Sequence, residues 1–125
     1  MALLFEELSY LIRGMFFKIY NELGPRFKEG VYVKALLELL KENNISYEKE
    51  KQFNIKFNNA NVGSTKIDLV IDNKIIVEVK ATEINNSFFE EQILSYLKNT
   101  GIKLGLLVNF GMNKLYVRRY INSNR

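Results

Sequence analysis

A chain of 125 residues with no cysteine and no histidine cannot build a disulfide, a thiolate nucleophile, a Ser-His-Asp triad or a His-liganded zinc site. Any metal it binds must sit on oxygen ligands, which selects magnesium, manganese or calcium. Apolar residues are 47% and charged residues 26% of the chain, and 18 basic against 14 acidic side chains leave +4; this excludes disorder, fits one domain over 1–125, and mildly favours a polyanionic partner.

Leu4, Leu8, Leu11, Ile12, Met15, Ile19 and Leu23 recur at helical spacing and predict an amphipathic helix over residues 3–22. Glu6, Glu7, Arg13, Lys18 and Glu22 interrupt its apolar character, so neither a membrane span nor a signal peptide is expected, and the expected location is cytoplasmic. Gly14 costs ~1 kcal/mol against Ala in a helix, and close packing is the expected reason for it. Gly24-Pro25 ends the helix.

A second helix is predicted over 28–43, with Val33, Leu36, Leu37 and Leu40 inward. Glu29 lies in line with that stripe, and a carboxylate aimed at a core needs a partner or a job. Residues 45–57 alternate as a strand through Phe53, Ile55 and Phe57, and 58–64 read as a polar turn. Strands over 65–71 and 74–81 follow, joined by the hairpin turn Asp72-Asn73.

Ser87-Phe88-Phe89-Glu90 has the spacing of a capping box. It opens a helix whose apolar stripe is Phe89, Ile93, Tyr96 and Leu97, and Thr100-Gly101 closes it. Residues 103–110 read as a strand, 111–113 as a turn, 115–120 as a last strand and 121–125 as a frayed tail. The order α-α-β-β-β-α-β-β defines an α/β (α+β) chain, one mixed sheet flanked by helices. Leu104 to Val108 form an apolar run that fits a central strand covered on both faces.

The stretch with chemical content is Asp68, Glu78 and Lys80. Alternation puts Glu78 and Lys80 on one face of their strand and Val77 and Val79 on the other. A simple two-residue hairpin makes opposed residues sum to about 145, which sets Asp68 across from Val77 and diagonal to Glu78. A twist or bulge could bring the two carboxylates together. Two carboxylates and an ammonium at one strand end suit a magnesium site beside a phosphate. The plain alternative is a hairpin with one wet face, with Glu29 a helix-end charge and Gln92 a rim amide.

The chain resembles the GxxExxY proteins, a branch of the PD-(D/E)XK nuclease superfamily. The matching pieces run in order: Glu22-Leu23-Gly24-Pro25, Glu29-Gly30-Val31-Tyr32, Ala35-Leu36, Ile67-Asp68-Leu69-Val70, and Ile75-Ile76-Val77-Glu78-Val79-Lys80-Ala81. Glu91-Gln92-Ile93-Leu94-Ser95-Tyr96-Leu97-Lys98 and Gly105-Leu106-Leu107-Val108-Asn109-Phe110-Gly111 complete them. The resemblance implies a restriction-endonuclease-like αβββαβ core with an extra N-terminal helix. It implies that Glu29, Asp68 and Glu78 hold Mg2+ or Mn2+, with the Val79 carbonyl as an extra ligand. Lys80 then acts on the attacking water or the phosphate, and Gln92 orients a ligand or touches substrate. The chain departs from the family pattern at Arg26, where a glycine is usual, at Ile67, where proline stands in the PD element, and at Phe89 and Tyr20, where histidines are usual.

The expected activity is metal-dependent phosphodiester hydrolysis of nucleic acid, with DNA as the expected substrate. Lys114, Arg118, Arg119 and Arg125 are candidate phosphate contacts, or simply a solvated strand face and tail. Two other readings stay open. One is an inactive nuclease-fold module that binds nucleic acid or protein. The other is a structural domain that forms homodimers through surface tyrosines.

Overall fold

The computed structural model describes residues 5–122. Its elements are α1 (Glu6–Leu23), α2 (Glu29–Glu42), β1 (Tyr47–Phe57), β2 (Ala60–Ile71), β3 (Ile75–Lys80), α3 (Ser87–Thr100), β4 (Leu104–Asn109) and β5 (Tyr116–Ile121). The strands form one sheet in the order β1-β2-β3-β4-β5. β3 and β4 are parallel and joined by the α3 crossover, while every other neighbouring pair is antiparallel. This is the mixed, helix-flanked α+β sheet that the element order predicts. No described helix is long and apolar enough to cross a membrane.

Helices α1 and α2 cover one face of the sheet, burying Ile12, Phe16, Tyr32, Leu36 and Leu40 against Leu69, Ile75, Val77, Val79, Leu106 and Val108. Helix α3 covers the other, packing Ile93, Tyr96 and Leu97 on Ile67, Val70, Ile76 and Leu107. All six residues of β4 are buried, as its apolar run requires. Gly105 makes room for α3, since a Cβ there would sit 2.9 Å from Ile93 Cδ1.

Several boundaries and faces differ from the sequence reading. Leu3 and Leu4 lie outside the described residues. The buried stripe of α1 is Ser9, Ile12, Met15, Phe16 and Ile19, while Leu11 is exposed. Phe16 takes the inward place because it falls one turn from both Ile12 and Ile19. Gly14 is not a packing contact: nothing lies within 4 Å of where its Cβ would be.

The polar stretch 58–64 is not one turn. Asn58 and Asn59, with φ of 50° and 65°, make the turn alone, and β2 begins at Ala60. Asparagine tolerates the left-handed region, so two of them suffice for a tight hairpin. The remaining polar residues mark an exposed ribbon rather than a loop.

Helix α3 is capped by Asn86 and not by a Ser87 capping box. The Asn86 side chain accepts the Phe88 N–H at 2.9 Å, and Ser87 is already helical.

Two contacts lock the loops around the ends of β3 and β4. Tyr32 stacks on Phe110 with centroids 4.4 Å apart and planes 3° from parallel. Its hydroxyl donates to the Gly24 carbonyl and accepts the Phe27 N–H, so the α1–α2 loop is tied to the end of β4. Tyr20, at one of the positions where the resembled family carries histidine, donates its hydroxyl to the Met112 carbonyl. Gly111 touches the segment leaving β3: a Cβ there would meet Thr82 N at 2.4 Å, which no side chain allows.

Candidate active site

The β2–β3 ladder runs Ile71↔Ile75, Val70↔Ile76, Leu69↔Val77 and stops. Asp72 and Asn73 both have positive φ, and Lys74 N–H closes the turn on the Ile71 carbonyl at 2.9 Å. Lys74 therefore belongs to the connection, and the register moves by one residue from the expected sum. Asp68 falls level with Glu78, not with Val77 as a simple hairpin predicts.

At that level the strands no longer bond backbone to backbone. The Asp68 N–H donates to Glu78 Oε2 at 2.9 Å, and the Val79 N–H donates to Asp68 Oδ2 at 3.0 Å. Two carboxylates stand in the place of ladder carbonyls. The distortion continues into β1, where Glu50 has φ of 52° and the register skips it between Lys49↔Leu69 and Lys51↔Ile67. It also reverses the pleat: Ile67 packs beneath α3, whereas Leu69 packs beneath α1 and α2. In a regular strand these two would share a face.

Glu78 is 2% exposed. Burial, and then the neighbouring Asp68, push its carboxyl up to about 8, against the Asp68 N–H bond and Lys80, which pull it down. Asp68 is half-buried and also raised, first by desolvation; the Val79 N–H and Lys80 oppose this, and Glu50 adds to it.

Glu29 is the first residue of α2, with its side chain exposed. Its carboxyl is raised by desolvation and by Asp68, with Lys80 acting the other way, so the three groups share one electrostatic neighbourhood. Among the described residues, no three acidic side chains close into a ready-made metal cage. The structure thus brings Asp68 and Glu78 into reciprocal contact and sets Glu29 at the rim.

Lys80 emerges on the α3 side of β3. Its Nζ lies 4.0 Å from Glu78 Oε1, donates to Gln92 Oε1 at 3.0 Å, and sits 4.8 Å from the Phe89 ring centroid. Phe89, at the other histidine position of the resembled family, gives the ammonium an aromatic face. Gln92 fixes where the ammonium points.

The sequence reading assigned Asn109 no part. It is fully buried at the end of β4. Its Oδ1 accepts the N–H groups of Thr82 and Gly111 at 3.1 and 2.9 Å, and its Nδ2 donates to Thr82 Oγ1 and Asn85 Oδ1, both at 3.0 Å. This clamps the segment that leaves Lys80. The available signal was an amide closing an otherwise apolar run, since a buried polar group needs partners.

The basic residues of the C-terminal hairpin are dispersed. Lys114 lines a cavity of about 920 Å³ with Arg26, Phe27, Glu83, Ile84 and Tyr116, beside the exit of β3. Arg118 is exposed and lies 5.8 Å from the Tyr120 ring centroid. Arg119 is half-buried. Arg125 lies outside the described residues.

A strand pair split by two carboxylates, followed by a lysine two residues on, is an Asp…Glu-x-Lys site on a mixed sheet. The chain belongs to the PD-(D/E)XK nuclease superfamily, whose family model matches residues 6–120. Nucleases of this superfamily generally use divalent metal ions. The fold is also that of a solved protein, the crystal structure of SSO0001, with a TM-score of 0.60 and 17% identity over 77% of this chain. At that identity the likeness is one of fold, and the chain spans about half of that protein's length, 50%. No curated protein sequence matches the chain.

Proposed function

We propose that the protein hydrolyses phosphodiester bonds of nucleic acid, with DNA as substrate, at a Mg2+ or Mn2+ site, and that it belongs to the GxxExxY branch of the superfamily. The observation that carries this reading is Glu78. A nearly inaccessible carboxylate beside a second carboxylate, with the nearest ammonium oxygen-to-nitrogen distance at 4.0 Å, is an arrangement that a hard cation would neutralise.

The donor set fits such an ion. Asp68 and Glu78 each use one oxygen on a backbone N–H, which leaves the second oxygen of each for the ion. Glu29 and the Val79 carbonyl would complete the set. Such an ion, if held there, would supply Lewis-acid polarisation of a phosphate oxygen and a lowered pKa for a bound water. The chain's own residues do the rest. Lys80, held by Gln92, presents a positive charge where the phosphate accumulates negative charge. Gln92 orients that ammonium, and the Asn109 clamp holds the segment behind it.

A second reading has one observation in its favour: among the described residues, no three carboxylates are gathered into a cage. In it the fold binds nucleic acid or a protein and cleaves nothing.

The test is cleavage of single-stranded, duplex and branched DNA and of RNA, with magnesium or manganese, by wild type and Lys80→Ala. Metal-dependent cleavage by wild type that is lost in the variant supports the nuclease. Absence of cleavage on every substrate, with nucleic-acid binding equal in both proteins, supports the binding module.

A further inference from the structure

Beyond the last β2–β3 rung, Leu69↔Val77, the β1–β2 hairpin continues alone from Lys51↔Ile67 to Phe57↔Ala60. Its seven β1 residues span about 20 Å at strand rise. The arm begins at Asp68 and projects away from the split strands.

Its two faces differ. Directly opposed residues of an antiparallel pair share a face. One face carries Phe53, Ile55, Thr65 and Ile67, partly or fully buried, with Phe53 and Ile67 packed in the α3 layer and Thr65 Oγ1 3.5 Å from Tyr96 Oη. The other carries Gln52↔Lys66, Asn54↔Ser64 and Lys56↔Asn61, and all six are exposed. From Lys51 to Ile67 the chain has three lysines, five asparagine or glutamine residues and no carboxylate. A chain with 14 acidic residues keeps them all off this arm.

We propose that the exposed face of the β1–β2 arm is a duplex nucleic-acid surface, laid in or across a groove, which delivers the backbone to the Asp68 end; this rests on the proposed nuclease reading for its location but not for its test. Three features select a duplex. A two-stranded ribbon fits a major groove about 12 Å wide. Amides and lysines are the groups that address base edges and phosphates there. The polar face has no aromatic residue, the arm's exposed Phe57 lying at the turn end on the other face, and single-strand binding relies on aromatic stacking. The register shift between Ile55 and Lys56 adds local twist to the ribbon, as a bulge does. Lys66 precedes Asp68 by two residues, about 7 Å along the strand, on the ribbon face turned away from α3, so a phosphate held there approaches the Asp68 end from the side opposite Lys80.

The experiment measures binding of a fluorescent 20-base-pair duplex, and of its single strand, by anisotropy in chelator, where no chemistry intervenes. Wild type is compared with Lys56→Ala/Lys66→Ala, with Gln52→Ala/Asn54→Ala, and with Lys18→Ala/Lys41→Ala, which removes the same charge from α1 and α2. The expected result is about tenfold weaker duplex binding for the arm lysine variant. Its salt dependence should be shallower by about two phosphate contacts, a log–log slope change of roughly 1.8. The amide variant should lose discrimination among duplex sequences, and the helix variant should bind as wild type does. All substitutions lie on exposed positions, and circular dichroism confirms folding.

Equal duplex binding by wild type and the arm lysine variant overturns the proposal, as does failure of wild type to bind duplex. Equal losses in the arm and helix variants would reduce it to net charge. Single-strand binding that depends on the arm while duplex binding does not would replace the duplex with a single strand. Arm-dependent binding of poly-glutamate but not of duplex would make the arm a dock for acidic protein. If wild type cleaves nothing yet binds duplex through the arm, the nuclease reading fails and this one stands.

Discussion

The Asp68 N–H donates to Glu78 while the Asp68 carboxylate accepts the Val79 N–H, so the two acidic residues hold each other's strand in place of ladder carbonyls. The reciprocity has an energetic cost. It brings two carboxylates together with the deeper one almost inaccessible, and Asp68 opposes the ionisation of Glu78. A hard cation removes that opposition.

Magnesium or manganese at millimolar concentration should therefore raise the melting temperature of chelator-treated protein, by mass action on the folded state. Saturation at 100 times the dissociation constant contributes about 2.7 kcal/mol. Asp68→Asn should abolish most of this shift and raise the metal-free melting temperature, because it relieves the repulsion and keeps an amide oxygen for the Val79 N–H. Thermal scans with and without metal read both effects.

Stability of the metal-free protein should fall with rising pH. Glu78 titrates near 8 when folded, against an ordinary value of 4.5. The folded state therefore binds the proton more tightly than the unfolded chain. The resulting stabilisation is complete below about pH 4.5, declines as pH rises, and is gone above about pH 8. Glu29 and Asp68 are shifted in the same direction. Urea midpoints from pH 5 to 9 should fall for wild type in chelator and run flatter for Glu78→Gln, and saturating magnesium should flatten the wild-type curve.

Lys80→Met, which keeps the side chain's length without its charge, should leave the protein folded. Cleavage should drop by roughly 100-fold or more, since charge stabilisation of this kind is worth ~3 kcal/mol in a transition state. Affinity should weaken only by about one phosphate contact. Single-turnover rates alongside anisotropy separate the two effects.

Asn109→Ala should be among the most damaging single substitutions in the chain. It strands the Thr82 and Gly111 N–H groups beside a packed core, at a cost of roughly 1–3 kcal/mol for each group left unsatisfied. Hydrogen exchange should quicken locally at Thr82 and Gly111, and cleavage should fall further than Gln92→Ala lowers it if the clamp sets the Lys80 position. Denaturation midpoints and amide exchange test the structural half.

Much of this architecture is legible in the residues. Period and punctuation place the helices to within a few residues, and alternation correctly puts Glu78 and Lys80 opposite Val77 and Val79. What was not legible is what depends on a single residue of register. Whether Asp72-Asn73 closes a two- or a three-residue connection decides whether Asp68 meets Val77 or Glu78, and composition is silent on this. The positive φ at Glu50 is equally invisible, because glutamate has no preference for it. Gly14 misleads for the opposite reason: a glycine in the middle of an amphipathic helix reads as a contact, yet its surroundings are open. The Asn109 clamp needed the tertiary approach of residues 82 and 85, which lie more than twenty positions away.

The stack of Tyr32 on Phe110 makes the two flanks of the Asp68–Glu78 site unequal in compliance. On the α2 side the ring contact and its hydroxyl bonds fasten the helix start that carries Glu29 to the end of β4. Lifting that wall would mean breaking a fully buried aromatic pair. The opposite wall is a hairpin held by one face and solvated on the other, so its bending modes are softer. A nucleic acid bound as proposed would be accommodated by bending of the hairpin, with the carboxylate at the helix start held at its distance from the sheet.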